Sequence, residues 1–593
     1  MLLLLPCDII SLSDLSKSKC VLQIQRRQPV ISHPIDPQLP VMLDKLYRNR
    51  GVTDVAQIQT QIKKLRHYNE LKGIERASSL ICDAIVANLS ICIIGDFDAD
   101  GATSTAIMML SLKAFGHSNV DYLVPNRFDF GYGLSPEIVD VAKQNQAQFI
   151  ITVDNGISCV AGVKHAKELD MQVVVTDHHL PGSVLPEADA IVNPNQPGCE
   201  FLSKNLAGVG VAFYVMLAVK AELQSRGWFT QKNIQIPNLA NYLDIVALGT
   251  VADVVPLDEN NRVLVHQGLQ RIRSGRARPG IMAILDVASR PCHKLSSTDL
   301  GFVLGPRLNA AGRLDDMSLG IECLMAEDEQ QARYMASQLD ALNLERREIE
   351  SSMQEEAEKA LKTFALEGNE IPAGVVLYQA GFHQGVIGIL AGRIKEKHYR
   401  PTIVFAKQDD ITLKGSARSV PGVHIRDLLE NINAQHPGLI EKFGGHAMAA
   451  GLSLKASQLG IFKNAFEQAV LTATKGLPGH NVLLSDGALK SQDITIENAS
   501  LIKLAVPWGQ TFEEPLFDGV FQMRSQRIVG KNHLKMVVSL DGQEFDAIAF
   551  NIDLQAWPNT QVQEVKLAYK LDINEFRGQI SVQLLVQAIQ PAD

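Results

Sequence analysis

At 593 residues the chain is too long for one hydrophobic core, and three or four domains are expected. Hydrophobic residues make up 46% and charged residues 20%, a globular profile that excludes wholesale disorder. The net charge of −9 argues against a protein that coats nucleic acid along its whole surface. It leaves room for a local basic groove, and clustered carboxylates that await cations would themselves push the total negative.

The opening run Met1 to Leu5 is stopped by Pro6 and Asp8 and lacks a basic lead-in. It is far shorter than the roughly 20 apolar residues a bilayer requires, so it reads as part of the folded N-terminus and no membrane association is expected. Eight cysteines are scattered with no C-x-x-C pair, which argues against a disulfide framework or zinc ribbon and for a reducing cytoplasm.

From Ser90 to about Thr250, short β-branched runs alternate with helix-like segments. Ile91 to Ile94, Phe149 to Val153 and Val173 to Val175 read as strands buried on both faces, hence a parallel sheet with crossover helices. Between Ala326 and Phe364 no Pro or Gly intervenes, and apolar residues recur at Met335, Leu339, Leu342, Ile349, Met353 and Leu361. This predicts one helix of ~60 Å at 1.5 Å per residue, bridging two domains of a monomer rather than forming an intermolecular coiled coil. A second α/β region starts near Pro372, with strands at Val375 to Leu377 and Thr402 to Phe405 and a helix from Val386 to Lys397. After Asn481 the pattern turns all-β; Gln561 to Leu567 and Ile580 to Leu584 alternate in polarity about an Arg577-Gly578 turn, as in a small barrel of the OB type. The expected division is an N-terminal segment with a parallel-sheet α/β domain (1–320), a connecting helix (326–364), a second α/β domain (370–473) and a β-barrel (483–593).

The first strand runs into Gly95-Asp96-Phe97-Asp98-Ala99-Asp100-Gly101. Three carboxylates at alternating positions repel one another unless cations neutralise them. Asp154 follows the next strand, Asp177-His178-His179 the third, and Asp253 the apolar stretch Ile245 to Val251. Each group ends a buried run, and in a parallel sheet those ends share the ligand-binding edge. A single Asp after a strand is ordinarily a cap, and a lone His179 is ordinarily a satisfied core residue; the combination is what points to metal. Oxygen ligands with imidazole and no thiolate favour Mn²⁺ or Mg²⁺. Five or six ligands exceed one open site, so two divalent ions about 3.5–4 Å apart are expected, suited to hydrolysis of a phosphate ester or anhydride.

Other positions carry two readings each. Arg127 after a strand end, and Ser416 with Arg418, could hold a terminal phosphate or serve surface ion pairs. His383 and Gly385 precede a helix start, which is a phosphate seat or a plain helix beginning. Gly444-Gly445-His446 could let backbone approach a nucleotide or simply turn. Arg524, Arg527, Lys531, His533 and Lys535, with Phe517 and Phe521 nearby, suit single-strand binding or a solvated strand edge.

The Asp-Phe-Asp-Ala-Asp-Gly run, Asp154, the Asp177-His178-His179 triplet and Thr250-Val251-Ala252-Asp253 resemble the motifs of the DHH phosphoesterase superfamily. Gly305 to Leu314 and Gly444 to Gly451 are similar to further motifs of its RecJ branch, the latter in the DHHA1 domain; Phe97 stands where that branch commonly has Tyr. The resemblance spans Gly95 to Gly451. It implies that Asp98 and Asp100 each bind one ion, that Asp154 bridges both, that His178 and Asp253 complete the coordination of the second ion, and that Asp96 supports the first ion. It implies contact of His179 with the scissile phosphate, and substrate contacts from Arg127, Arg307, Asn309, Ser416, Arg418 and His446. The implied activity is 5′-to-3′ hydrolysis of single-stranded DNA to 5′-mononucleotides in repair and recombination, with a single-strand-binding protein and a helicase as candidate partners. The alternative is a DHH phosphodiesterase or pyrophosphatase for short oligonucleotides or small molecules, which ordinarily needs only the two α/β domains.

Overall fold

The computed structural model describes residues 23–125, 133–366, 371–474, 482–576 and 578–592. The opening apolar run, Arg127 and Arg577 lie outside these described residues.

Strand β1 (Gln23–Arg26) and helices α1 (Val41–Arg48) and α2 (Ile74–Val86) come first. Then follow β2 (Ile91–Ile94), α3 (Ala99–Ala114), β3 (Val120–Leu123), α4 (Pro136–Gln144), β4 (Phe149–Val153), α5 (Val160–Glu168), β5 (Gln172–Thr176) and β6 (Ala190–Val192). These strands pair in parallel in the order β3-β2-β4-β5-β6. Alternate side chains leave opposite faces of a strand. Ile91, Ile93, Phe149, Ile151 and Val174 therefore join the core beneath α3, whereas Cys92, Ile94, Ile150, Val173 and Val175 pack with Ile138, Val139 and Val163 of α4 and α5. Both faces are covered, which is why these strands read as unbroken apolar runs.

The chain continues with α6 (Gly208–Ser225), α7 (Trp228–Gln231), α8 (Leu243–Ala252), α9 (Glu259–Arg273), α10 (Pro279–Val287) and α11 (Ser297–Asp299). A π-helical turn at Leu300–Leu304 leads into α12 (Gly305–Leu314), and α13 (Ser318–Met325) follows. The run before Asp253 does not end a strand: Ile245 to Val251 lies in α8, buried against α3 and α6. A helix buried all round has no polar stripe, so its sequence matches that of a buried strand.

Helix α14 (Glu329–Leu366) has 38 residues, about 57 Å at 1.5 Å per residue. Met335 and Leu339 enter the first domain's core and Met353 and Leu361 the second's, so the helix is seated at both ends. The second domain comprises β7 (Val375–Tyr378), α15 (Ile387–His398), β8 (Thr402–Lys407), β9 (Thr412–Arg418), α16 (Ile425–Gln435), β10 (Lys442–Gly445), β11 (Ala449–Lys455) and α17 (Leu459–Thr474). Its sheet runs β10-β11-β9-β8-β7, with β7 and β8 parallel and the other pairs antiparallel.

After β12 (Val482–Ser485) and α18 (Ile496–Leu504), strands β13 (Phe517–Val529), β14 (His533–Leu540), β15 (Gln543–Ala549), β16 (Glu564–Phe576) and β17 (Gln579–Pro591) close a barrel in the order β13-β14-β15-β17-β16. The N-terminal segment is tied to this end of the molecule. β1 pairs in parallel with β12, and the Arg50 guanidinium meets Asp486 at 3.0 Å with both side chains sealed from solvent, at 1% and 0% exposure. Arg50 also lies 4.9 Å over the Trp508 ring. Removing one partner of a buried pair leaves a charge without compensation. Asp486→Ala is therefore expected to cost about 3–5 kcal/mol of stability, read as a fall in melting temperature; an unchanged transition would show the tie to be dispensable.

Candidate active site

Strand β2 delivers the chain into the loop before α3. Asp98 caps that helix, its Oδ1 accepting the N–H groups of Asp100 at 2.9 Å and Gly101 at 3.1 Å. Gly101 is required there, because a Cβ would sit 2.4 Å from the Asp96 carbonyl oxygen. Asp100 points the other way, and its two oxygens accept the N–H groups of Gly208 (2.6 Å) and Val209 (2.9 Å) at the start of α6. A helix N-terminus stabilises a carboxylate in this manner. Asp154 follows β4 with a left-handed φ of 60°, which Asp tolerates better than most residues. Gly208 makes room for it: a Cβ would lie 2.6 Å from that of Asp154.

Asp177, at the end of β5, is the orienting group. It accepts the N–H groups of His178 (2.7 Å), His179 (3.0 Å) and Ile157 (2.9 Å), and the Nδ1 of His179 lies 2.8 Å away. His178 Nε2 lies 3.1 Å from Asp154, 3.5 Å from Asp253 and 3.8 Å from Asp100. Among the described residues, three triads bring ligand atoms within 4.8 Å of one another: Asp96, Asp98 and Asp154; Asp100, His178 and Asp253; and Asp154, His178 and His179.

The electrostatics follow from this crowding. Burial and then the neighbouring Asp98 push the Asp100 carboxyl up to about 7. Burial and the surrounding carboxylates hold Asp154 and Asp253 well above the usual range. Burial, reinforced by the neighbouring His179, lowers His178 to about 4, so its imidazole is neutral and ready to act as a ligand. Burial opposes the charge on His179, but the hydrogen bond to Asp177 prevails and raises it to about 9. Asp177 itself is resisted by burial and still ends below its ordinary value because of that same bond. His178 Nε2 and Asp253 Oδ2 are buried without a hydrogen bond. Orphaned acceptors among mutually repelling carboxylates suit divalent cations with a preference for oxygen, and these residues fit such ions.

The second domain faces this cluster. The β10–β11 turn brings His446 into electrostatic reach of His179, and burial and then that neighbour lower the His446 ring below its ordinary value. On β9, Arg418 Nη1 donates to Ser416 Oγ at 3.1 Å and to the Ala417 carbonyl at 2.8 Å. Burial lowers the Arg418 guanidinium, and among the described residues no carboxylate pairs with it. A desolvated guanidinium without an acid suits an anion.

Three regions match family models: the N-terminal domain of the DHH family at residues 90–250, the DHHA1 domain at 372–472 and the RecJ OB domain at 485–588. The single-stranded-DNA-specific exonuclease RecJ of Escherichia coli (strain K12) is 51% identical over 572 residues, covering 96% of this chain and 99% of its own. The chain belongs to the RecJ exonuclease family. The same-named protein of Salmonella typhimurium is 52% identical over 571 residues, at 96% and 99% coverage. The crystal structure of RecJ in complex with Mn²⁺ from Thermus thermophilus matches with a TM-score of 0.73 at 26% identity, over 93% of this chain and 76% of that one.

Within this family fold, two of the residues expected to touch substrate also have protein partners. Arg307 pairs with Asp340 of α14 at 2.8 Å and donates to the Val303 carbonyl. Asn309 Oδ1 accepts the Ala99 N–H at 2.9 Å, holding the start of α3. His383 Nδ1 accepts the Gly385 N–H at 3.1 Å, shaping the turn before α15. Phe517 and Phe521, at 2% and 1% exposure, pack on Tyr569 inside the barrel and offer no stacking surface. The exposed aromatic beside the basic strands is Phe550, edge-on to His533 at 5.0 Å. Two contributions went unread in the sequence. Asp177 carries no signal of its orienting role, and the backbone donors of Gly208 and Val209 are signalled only by the glycine-rich opening of α6.

A carboxyl raised in the metal-free fold favours its protonated form. For Asp100 that contribution is fully present below 3.8 and is lost as pH rises through about 7. Bound cations must displace the proton, so their grip strengthens over the same interval. The rise in melting temperature on adding Mn²⁺ is expected to be larger at pH 8 than at pH 6, compared with EDTA-treated protein; a pH-independent rise would mean that these carboxyls do not hold the ions.

Proposed function

We propose that this chain degrades single-stranded DNA from its 5′ end to 5′-mononucleotides, using two divalent ions, Mn²⁺ or Mg²⁺. The observation that carries this reading is the opposition of two sites: a carboxylate–imidazole cluster on one domain and, on the next, the half-buried Arg418 guanidinium, which no carboxylate among the described residues pairs with. In this reading Asp96, Asp98 and Asp154 would hold one ion and Asp100, His178 and Asp253 the other, with Asp154 within reach of both. The ions, when bound, supply Lewis acidity towards water and the scissile phosphate.

The side chains do the rest. Asp177 holds the His179 ring in place and keeps it cationic, so that the ring would donate to a phosphoryl oxygen. Ser416 and Arg418 seat the terminal 5′-phosphate, joined by Arg127, and His446 closes on the bound nucleotide from the second domain. Water oxygen bonds to phosphorus, the bond from phosphorus to the 3′-oxygen breaks, and that oxygen takes a proton. The shortened strand keeps the phosphate, so each cut regenerates the group that the seat holds. The basic face of β13 and β14 beside Phe550 would track the strand. This barrel counts against the small-molecule alternative. Among the described residues no helix is long and apolar enough to cross a membrane. A cytoplasmic monomer working in repair and recombination with a single-strand-binding protein and a helicase fits this activity.

Asp154→Ala is expected to abolish nuclease activity in both metals while the protein still folds, as judged by circular dichroism. Near-normal turnover would sink the two-ion assignment. Arg418→Ala should raise KM on 5′-phosphorylated single strands by about 10- to 100-fold, the ~1.5–3 kcal/mol of one charge-assisted bond, with a smaller penalty on 5′-hydroxyl strands. Equal losses on both would leave Arg418 a structural role only, and first release of nucleotides from the 3′ end by the native enzyme would refute the polarity.

A further inference from the structure

The metal cluster and the phosphate seat stand on different domains, linked along the chain by α14 and the residues after it. A long helix does not by itself hold a fixed gap between two sites mounted off its opposite ends. An enzyme that releases one nucleotide per cut needs that gap kept constant to well within one nucleotide.

Helix α12 touches both the metal loop and the turn before α15. Asn309 grips the Ala99 N–H immediately after Asp98, and Gly312 sits so close to the metal loop that a Cβ would be 1.8 Å from the Phe97 carbonyl oxygen. At the end of the helix Arg313 donates from Nη1 to the Gly385 carbonyl at 3.0 Å, and a Cβ on Gly385 would be 2.2 Å from the Arg313 carbonyl oxygen. Gly388, in the first turn of α15, stands where a Cβ would come within 3.0 Å of both Ser416 Oγ and Arg418 Nη2. Two of these glycine contacts join backbone to backbone, which leaves no rotamer to absorb a change in spacing.

We infer that α12 is the ruler that sets product length at one nucleotide, with Arg313 as a positioning residue acting through Gly385. This rests on Ser416 and Arg418 being the terminal-phosphate seat. The contact is not what docks the domains. Glu350 of α14 bridges Arg346 and Arg393, and Met353 and Leu361 share a core with α15, all independently of Arg313.

The test uses full-length protein with Mn²⁺ and single strands carrying a radiolabelled 5′-phosphate, and reads the first labelled products. Native enzyme should release mononucleotide. Arg313→Ala, which frees the gap, and Gly385→Ala, which widens it, should each shift the first product to a mixture of mono- and dinucleotide. Arg313→Lys keeps a donor for the Gly385 carbonyl and should restore the mononucleotide. The ruler is wrong if both the Arg313→Ala and Gly385→Ala variants still release only mononucleotide while Arg418→Ala continues to separate phosphorylated from hydroxyl ends. If Arg418→Ala treats both ends alike, the phosphate seat fails and the ruler falls with it. The Mn²⁺-dependent rise in melting temperature should persist in both gap variants; its loss in both would assign these contacts to the metal loop instead and overturn the inference.

Discussion

Carboxylates of like charge repel, and burial strengthens the repulsion by removing the water that screens it. Asp96, Asp98, Asp100, Asp154 and Asp253 are nevertheless drawn to one edge of the first sheet. The fold offsets part of the cost with backbone donors. Asp98 is satisfied by the helix it caps and Asp100 by the start of α6, while Asp177 gathers three N–H groups beside the cluster. The remainder stays uncompensated within the protein, which is why Asp154 and Asp253 resist ionisation and why His178 Nε2 and Asp253 Oδ2 lack hydrogen bonds. Folding and metal affinity are thus two sides of one arrangement: the site is assembled at a cost that only cations remove.

The opposite charge comes from elsewhere in the chain. Arg418 approaches from the second domain, beside the uncharged ring of His446, and neither shares an element with the carboxylates. A strand entering between the two domains would meet carboxylates on one side and a guanidinium on the other. The overall charge of −9 says nothing about this division, because it averages over both sides. The Arg50–Asp486 pair and the β1–β12 ladder bind the start of the chain to the region that carries the barrel.

The elements that were legible in advance share a property: their signal is local. Unbroken apolar strands, a helix of 38 residues free of Pro and Gly, and alternating barrel strands each declare themselves within a short window. The acidic loop and the His pair were legible for the same reason, each falling directly after such a run. The exceptions had ambiguous windows. Ile245 to Val251 is a helix whose burial on all sides erased its periodicity, and Phe517 and Phe521 beside cations suited a binding face until barrel closure turned them inward.

The sequence by itself pointed to the acidic and imidazole groups that the fold gathers at one edge, because metal ligation demands particular side chains at the ends of particular elements. Only the tertiary structure decided what the supporting residues do. Asn309 braces the Ala99 amide and Arg307 pairs with Asp340, contacts that their motif does not announce. Gly312 and Gly385 have no chemistry to announce, and their meaning lies in which backbone oxygen stands 1.8 or 2.2 Å from an absent Cβ. Such roles depend on residues far apart along the chain, and no spacing within one motif encodes a distance between two domains.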